Sequence, residues 1–207
     1  MALLSQAWGW LSRPFRASHV PLNTAAHTRA AGADASMDVN VPKLGRSCTG
    51  SEFVQRVCQV ADAVLAHHVK GRNRVDYTAV ANSDAFVNWK AIAFQLQSLQ
   101  LSQLSHDETM ALFINVYNMA TVHAIIHLGG DRFSGVLTVP KFWSTYGYLI
   151  GDHFFSLDDM EHGILRCNRA HPSSKRRTFW PTSDPRVAFL PTRFDHRIHF
   201  ALVCGAR

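Results

Sequence analysis

The closing stretch, residues 199–207, sets Cys204 at the end of an apolar run and just ahead of Gly205 and Ala206. A thiolate there suits nucleophilic chemistry, because backbone N–H groups of a following turn can stabilise the sulfur anion and later an oxyanion. Read as a regular strand, residues 198–204 turn His199 and Cys204, five apart, to opposite faces. A direct Cys-His pair would then need a bend or bulge. Ile198, Phe200 and Leu202 share the cysteine's face, so burial as an inert thiol is the competing reading.

His162 is the better candidate base, since it lies on another element beside Glu161 and three residues from Asp159. His199 sits in a run that is apolar on both faces, which predicts a buried histidine with its hydrogen bonds satisfied. Asn115 and Asn118 fall one turn apart in a largely apolar helix, where asparagine is a poor helix former and implies specific hydrogen bonds. Asn115 could orient a catalytic histidine, and Tyr117, Asn118 and Arg197 are the expected substrate contacts. The alternative is that both asparagines clamp adjoining loops. His123 and His127 share a helix face four residues apart, but no glutamate or third ligand accompanies them, so we expect no metal and no cofactor. Asp158, Asp159 and Glu161 crowd the first turn of a helix, where carboxylates serve as caps.

The elements that must position these residues follow from pattern. Thr49 and Glu52 read as a capping box before a helix with Phe53, Val57, Val60 and Val64 on one face, ending near Lys70 and Gly71. A second helix starts near Ser83 and carries Phe86, Trp89, Ala93, Leu96 and Leu99. A third begins at the Ser105/Glu108 box and stops at Gly129-Gly130. Beyond it come a strand candidate at 136–139, a hairpin over 148–155 around Gly151-Asp152, and a helix capped at Ser156 and running through Ile164 to Cys167. Residues 187–190 and 198–204 complete the strand candidates. The class is therefore α+β, a helical first half followed by a small mixed or antiparallel sheet with an inserted helix.

The chain has 207 residues, 47% of them hydrophobic, which suits one domain plus a tail. Residues 1–48 read as a presequence-like or disordered tail and linker, and residues 49–207 as the domain. No acidic residue occurs in 1–33, where Arg13, Arg16 and Arg29 accompany helical spacing of Leu4, Trp8, Leu11 and Phe15. That composition resembles a mitochondrial or plastid address; without such an address the chain would be cytoplasmic. The net charge of +6 is dispersed apart from Arg72/Arg74 and residues 175–177, which argues against dedicated nucleic-acid binding. No apolar run reaches the roughly 20 residues of a transmembrane helix. Cys48, Cys58, Cys167 and Cys204 are scattered without a C-x-x-C pair, so free thiols in a reducing compartment are expected.

Three blocks bear comparison with a known family: residues 113–118 (Phe-Ile-Asn-Val-Tyr-Asn), residues 156–166 from Ser156 to Arg166, and residues 195–206 from Asp195 to Ala206. With Asp76-Tyr77 and Asp184-Pro185-Arg186 they resemble domain-of-unknown-function family 547 from about residue 72 onward. Phe113 stands where relatives commonly carry Trp. The resemblance implies further chain after Cys-Gly-Ala-x, so the sequence reads as a C-terminally truncated member with an incomplete domain. It assigns no activity. A cysteine-dependent acyl-transfer or hydrolase-type site is the leading expectation for the full-length family, possible inactivity of this chain included. A non-catalytic module with a protein partner is the alternative, and fusions of relatives to glutaredoxin-like domains suggest a redox-linked accessory as a third.

Overall fold

The computed structural model describes residues 19–24, 49–66, 69–70 and 74–205. The expected helix in the first fifteen residues, Cys48 and residues 206–207 lie outside the described residues. Within the stretch read as a tail, Val20–Pro21 form strand β1, and Leu22 and Asn23 after it are buried in the domain. Asn23 acts as a bridge: its Nδ2 donates to the carbonyls of Ala93 and Leu149, both at 2.8 Å, and its Oδ1 accepts from Leu149 N–H at 2.9 Å.

Helix α1 (Gly50–Ala66) opens with the expected box, Thr49 N–H donating to Glu52 Oε2 at 2.9 Å and Glu52 N–H to Thr49 Oγ1 at 3.3 Å. It buries Phe53, Val57 and Val64, and ends short of Lys70 because Val69–Lys70 (β2) pairs with Arg74–Val75 (β3) in an antiparallel ribbon. Helix α2 (Tyr77–Ala81) is capped by Asp76, and α3 (Asp84–Gln95) by Ser83. Helix α4 (His106–His127) has the full Ser105/Glu108 capping box and ends at Leu128, before Gly129 at φ +119°. It is buried on nearly every side from Leu112 to Ile125, so its sequence shows no single apolar stripe. Its length and hydropathy would suffice to cross a membrane, contrary to the sequence expectation, but most of it is buried within the domain as a core helix.

The short helix α5 (Phe142–Thr145) leads into β4 (Tyr146–Ile150), which turns through Gly151-Asp152 into β5 (His153–Ser156). The hairpin is antiparallel and β1 pairs parallel with β4, giving a mixed sheet in the order β1-β4-β5 with Tyr148 opposite Phe155. Gly147 is required there, since an added Cβ would lie 2.0 Å from the Phe155 carbonyl oxygen. Helices α1, α3 and α4 and this sheet share one core that includes Phe53, Trp89, Phe113, Tyr148 and Phe155. The fold is α+β.

The chain departs from the sequence expectation in four further places, one before the hairpin and three after it. The Ser156 box forms, with Ser156 N–H donating to Asp159 Oδ2 and Asp159 N–H to Ser156 Oγ, yet the helix it starts is a π-helix over Asp159–Leu165. Phe179 packs closely against this helix: its ring occupies the space beside Gly163, where an added Cβ would come within 2.2 Å of Cζ. Residues 136–139 and 187–190, read as strands, are 3-10 turns over Val136–Thr138 and Pro185–Phe189, the latter capped by Asp184 with Pro at its start. Residues 198–204, also read as a strand, form a helical turn α6 (Ile198–Ala201) followed by extended residues 202–204. Among the described residues no strand pairs with this segment, and the Asp195 carboxylate accepts from Arg197 N–H at 2.9 Å, favouring a turn at its start.

Candidate functional site

Cys204 is exposed, at the end of a segment held on the surface of α4. Asn118 does the holding: its Nδ2 donates to Ala201 O at 2.9 Å and its Oδ1 accepts from Val203 N–H at 2.8 Å. The amide thus stands in for a partner strand's backbone. Trp143 Nε1 donates to the Cys204 carbonyl at 3.1 Å, and Gly205, at φ +72°, fits against Thr121, Ile125 and Val136. Cys58 and Cys167 are only part-exposed, and burial pushes both thiols up.

Below the segment, the buried Tyr117 donates its hydroxyl to Glu161 Oε2 at 3.2 Å. Burial, then the negative charge of Glu161, push Tyr117 far above the ordinary phenol value, so the ring stays neutral. Tyr117, Glu161, Asn118 and Cys204 therefore share one region.

His162 reaches the same end of the molecule from the π-helix. Its Nδ1 lies 3.0 Å from Arg166 Nη1 and its ring centre 4.0 Å from that of His171. Burial first, and then the cationic and imidazole neighbours His171, Arg166 and His199, lower it to about 4. It is neutral at neutral pH, and its weak basicity makes it a poor proton acceptor. His199, expected to be buried, is exposed, because α6 turns Ile198 inward and His199 out.

Asn115 does not join this region: it donates to Ala111 O at 2.9 Å and to Cys58 Sγ at 3.4 Å, facing α1. Arg197 is 81% exposed and forked onto its neighbour Asp195, whose carboxyl is thereby held well below the usual range. His123 and His127 part company. His123 is buried with Nδ1 3.0 Å from the Tyr148 hydroxyl, which also accepts from Trp89 Nε1 at 2.8 Å, while His127 is exposed.

Sequence reasoning missed His171 and treated Asp158 only as a cap. Asp158, His162 and His171 bring potential ligand atoms within 4.8 Å of one another, and the four-residue spacing of Asp158 and His162 was a usable signal. By residue type they could hold a divalent ion. Their hydrogen bonds point the other way. Guanidinium and backbone N–H groups only donate, so Arg166 takes up the Nδ1 lone pair of His162, and Ser173 and Ser174 N–H take up that of His171 at 3.1 and 3.3 Å. Both neutral rings then carry their proton on Nε2 and act as donors. Metal-binding histidines ordinarily have the opposite arrangement, an N–H donated outward and a free lone pair facing the ion.

No curated protein and no solved structure matches the chain. The family described as "Protein of unknown function, DUF547" matches residues 101–207, which contain α4, the hairpin, the π-helix and Cys204; Asp76-Tyr77 lies ahead of the matched span. That span is just over half of the chain, and it holds all three sequence blocks together with every residue gathered around Cys204, so the protein belongs to the DUF547 family.

Proposed function

We propose that the domain carries a cysteine-dependent acyl-transfer or hydrolase-type site at Cys204. The observation that carries this reading is an exposed thiol on a backbone fastened from two sides, by Asn118 and Trp143, next to the buried Tyr117–Glu161 pair. A nucleophile has to be both accessible and held, and those contacts supply both conditions.

In this reading His199 accepts the thiol proton and the Cys204 sulfur bonds to the acyl carbon of an ester or thioester. The leaving group departs with the proton that His199 held. Water then adds to the enzyme-bound thioester, releasing the acid and restoring the thiol. His162 serves as a neutral donor through Nε2, and Asn118 is a positioning residue. The helical turn over 198–201 removes the strand-parity objection to His199.

Hydrolysis of p-nitrophenyl acetate and alkylation by iodoacetamide test the reading. Cys204→Ala should abolish turnover, and Cys204 should be alkylated far faster than Cys58 or Cys167 near neutral pH, with the rate falling in His199→Ala. Equal turnover by wild type and Cys204→Ala, together with equally slow alkylation of the three thiols, would refute it. A non-catalytic binding role is the second reading. It is favoured by large apolar side chains left in solvent, Phe200 at 91% and Trp180 at 69% exposure.

A further inference from the structure

Residues 166–183 contain Arg166, Arg169, Lys175, Arg176 and Arg177 and no acidic residue. Two of these cations are occupied within the fold, Arg166 at His162 and Arg169 over the Phe194 ring at 4.4 Å. Lys175, Arg176 and Arg177 are exposed and form no ion pair among the described residues. They sit on a closed turn: His171 N–H donates to Arg176 O at 2.8 Å and Lys175 N–H to His171 O at 2.9 Å.

Beyond Thr178, the side chains of Phe179 and Trp180 point in opposite directions. Phe179 is wholly buried beside Gly163, and the buried Asn168 clamps its backbone from both sides, donating to Phe179 O and accepting from Phe179 N–H at 2.9 Å each. Trp180 is thereby turned outward, and Ser183 and Asp184 N–H donate to its carbonyl. The fold thus displays, on an anchored loop, an outward indole and three adjacent exposed cations that form no ion pair among the described residues.

We propose that this loop docks the domain onto an anionic lipid surface, with residues 175–177 meeting headgroup charges and Trp180 entering the headgroup layer. The indole, apolar with one polar edge, suits that layer. Cations near an acidic leaflet are attracted to it collectively and lose that attraction in salt. Three cations on one tight turn match a cluster of headgroups better than the extended phosphate track of a nucleic acid. The inference is independent of any chemistry at Cys204.

The test is sedimentation of the full chain with phosphatidylcholine vesicles, with or without phosphatidylserine. Binding should require phosphatidylserine and weaken with salt. Replacing Lys175, Arg176 and Arg177 together with Ala should weaken binding about a hundredfold. Trp180→Ala should weaken it several-fold and remove a lipid-induced blue shift of tryptophan fluorescence. All four positions are exposed, so melting curves of the variants should match wild type. Equal binding to both vesicle types overturns the proposal, as does undiminished binding by the triple variant, which would place any contact elsewhere, as at Arg13 and Arg16. Retained binding and blue shift in Trp180→Ala, with soluble polyglutamate displacing the vesicles, would assign the loop to an acidic protein instead.

Discussion

Asn118 and Val203 are joined by a hydrogen bond from the Val203 amide to the Asn118 side-chain oxygen at 2.8 Å, and the same side chain's nitrogen reaches Ala201 O. One amide on the central helix thereby sets the path of the backbone that carries Cys204.

Asn118→Ala should release that backbone while leaving α4 intact. Loss of two hydrogen bonds at a buried site costs about 1–3 kcal/mol. The specific readout is hydrogen exchange, which should accelerate at the Val203 amide but not at amides in the middle of α4. Unchanged exchange at Val203 would show that Asn118 does not hold the segment.

The depressed basicity of His162 makes stability depend on pH. Its ordinary value is 6.5 and the folded value about 4, so the unfolded chain binds more protons between those limits. The contribution is therefore full above about pH 6.5 and is lost as pH falls through that window, flattening below about 4. It amounts to about 3 kcal/mol at most. Wild type should lose melting temperature on acidification over this range more steeply than His162→Gln, and parallel profiles would contradict the assignment.

Gly163→Ala places a methyl group where the Phe179 ring lies, the ideal Cβ being 2.2 Å from Cζ. Overpacking of this kind costs about 1–3 kcal/mol. Urea unfolding of Gly163→Ala, Phe179→Leu and the double variant should show non-additivity, the smaller side chain relieving the alanine. Strict additivity would mean that the two positions do not press on each other.

Asn23 ties β1 to α3 and β4, so Asn23→Ala should destabilise the domain by about 1–3 kcal/mol through the unmet groups of Ala93 and Leu149. Any leader removed by an organellar protease should be cut before Val20. N-terminal sequencing of protein recovered from the organelle checks this, and a mature form starting after Asn23 would be incompatible with the docked strand.

How much was legible depended on how local the cause is. The boxes at Thr49, Ser105 and Ser156 and the hairpin at Gly151-Asp152 follow from residues within a few positions of one another, and the structure contains them all. Residues 20–23 were not recognisable as part of the fold, because a two-residue strand has no periodicity and Asn23 finds its partners about 70 and 126 residues away. The helix over 198–201 was read as strand because a short apolar run fits either period. His171 went unnoticed because only the turn over 171–176 brings it to His162.

The sequence by itself determined the three long helices α1, α3 and α4, the hairpin, the α+β class and the family blocks, the last of which contains Cys204, since capping and periodicity act over one or two turns. Tertiary structure alone decided that Asn115 faces Cys58 while Asn118 grips the Cys204 segment, although the two lie three residues apart on one helix. The reason is that α4 is packed on nearly all sides, so the element beside each side chain, rather than its chemical type, sets which backbone it serves.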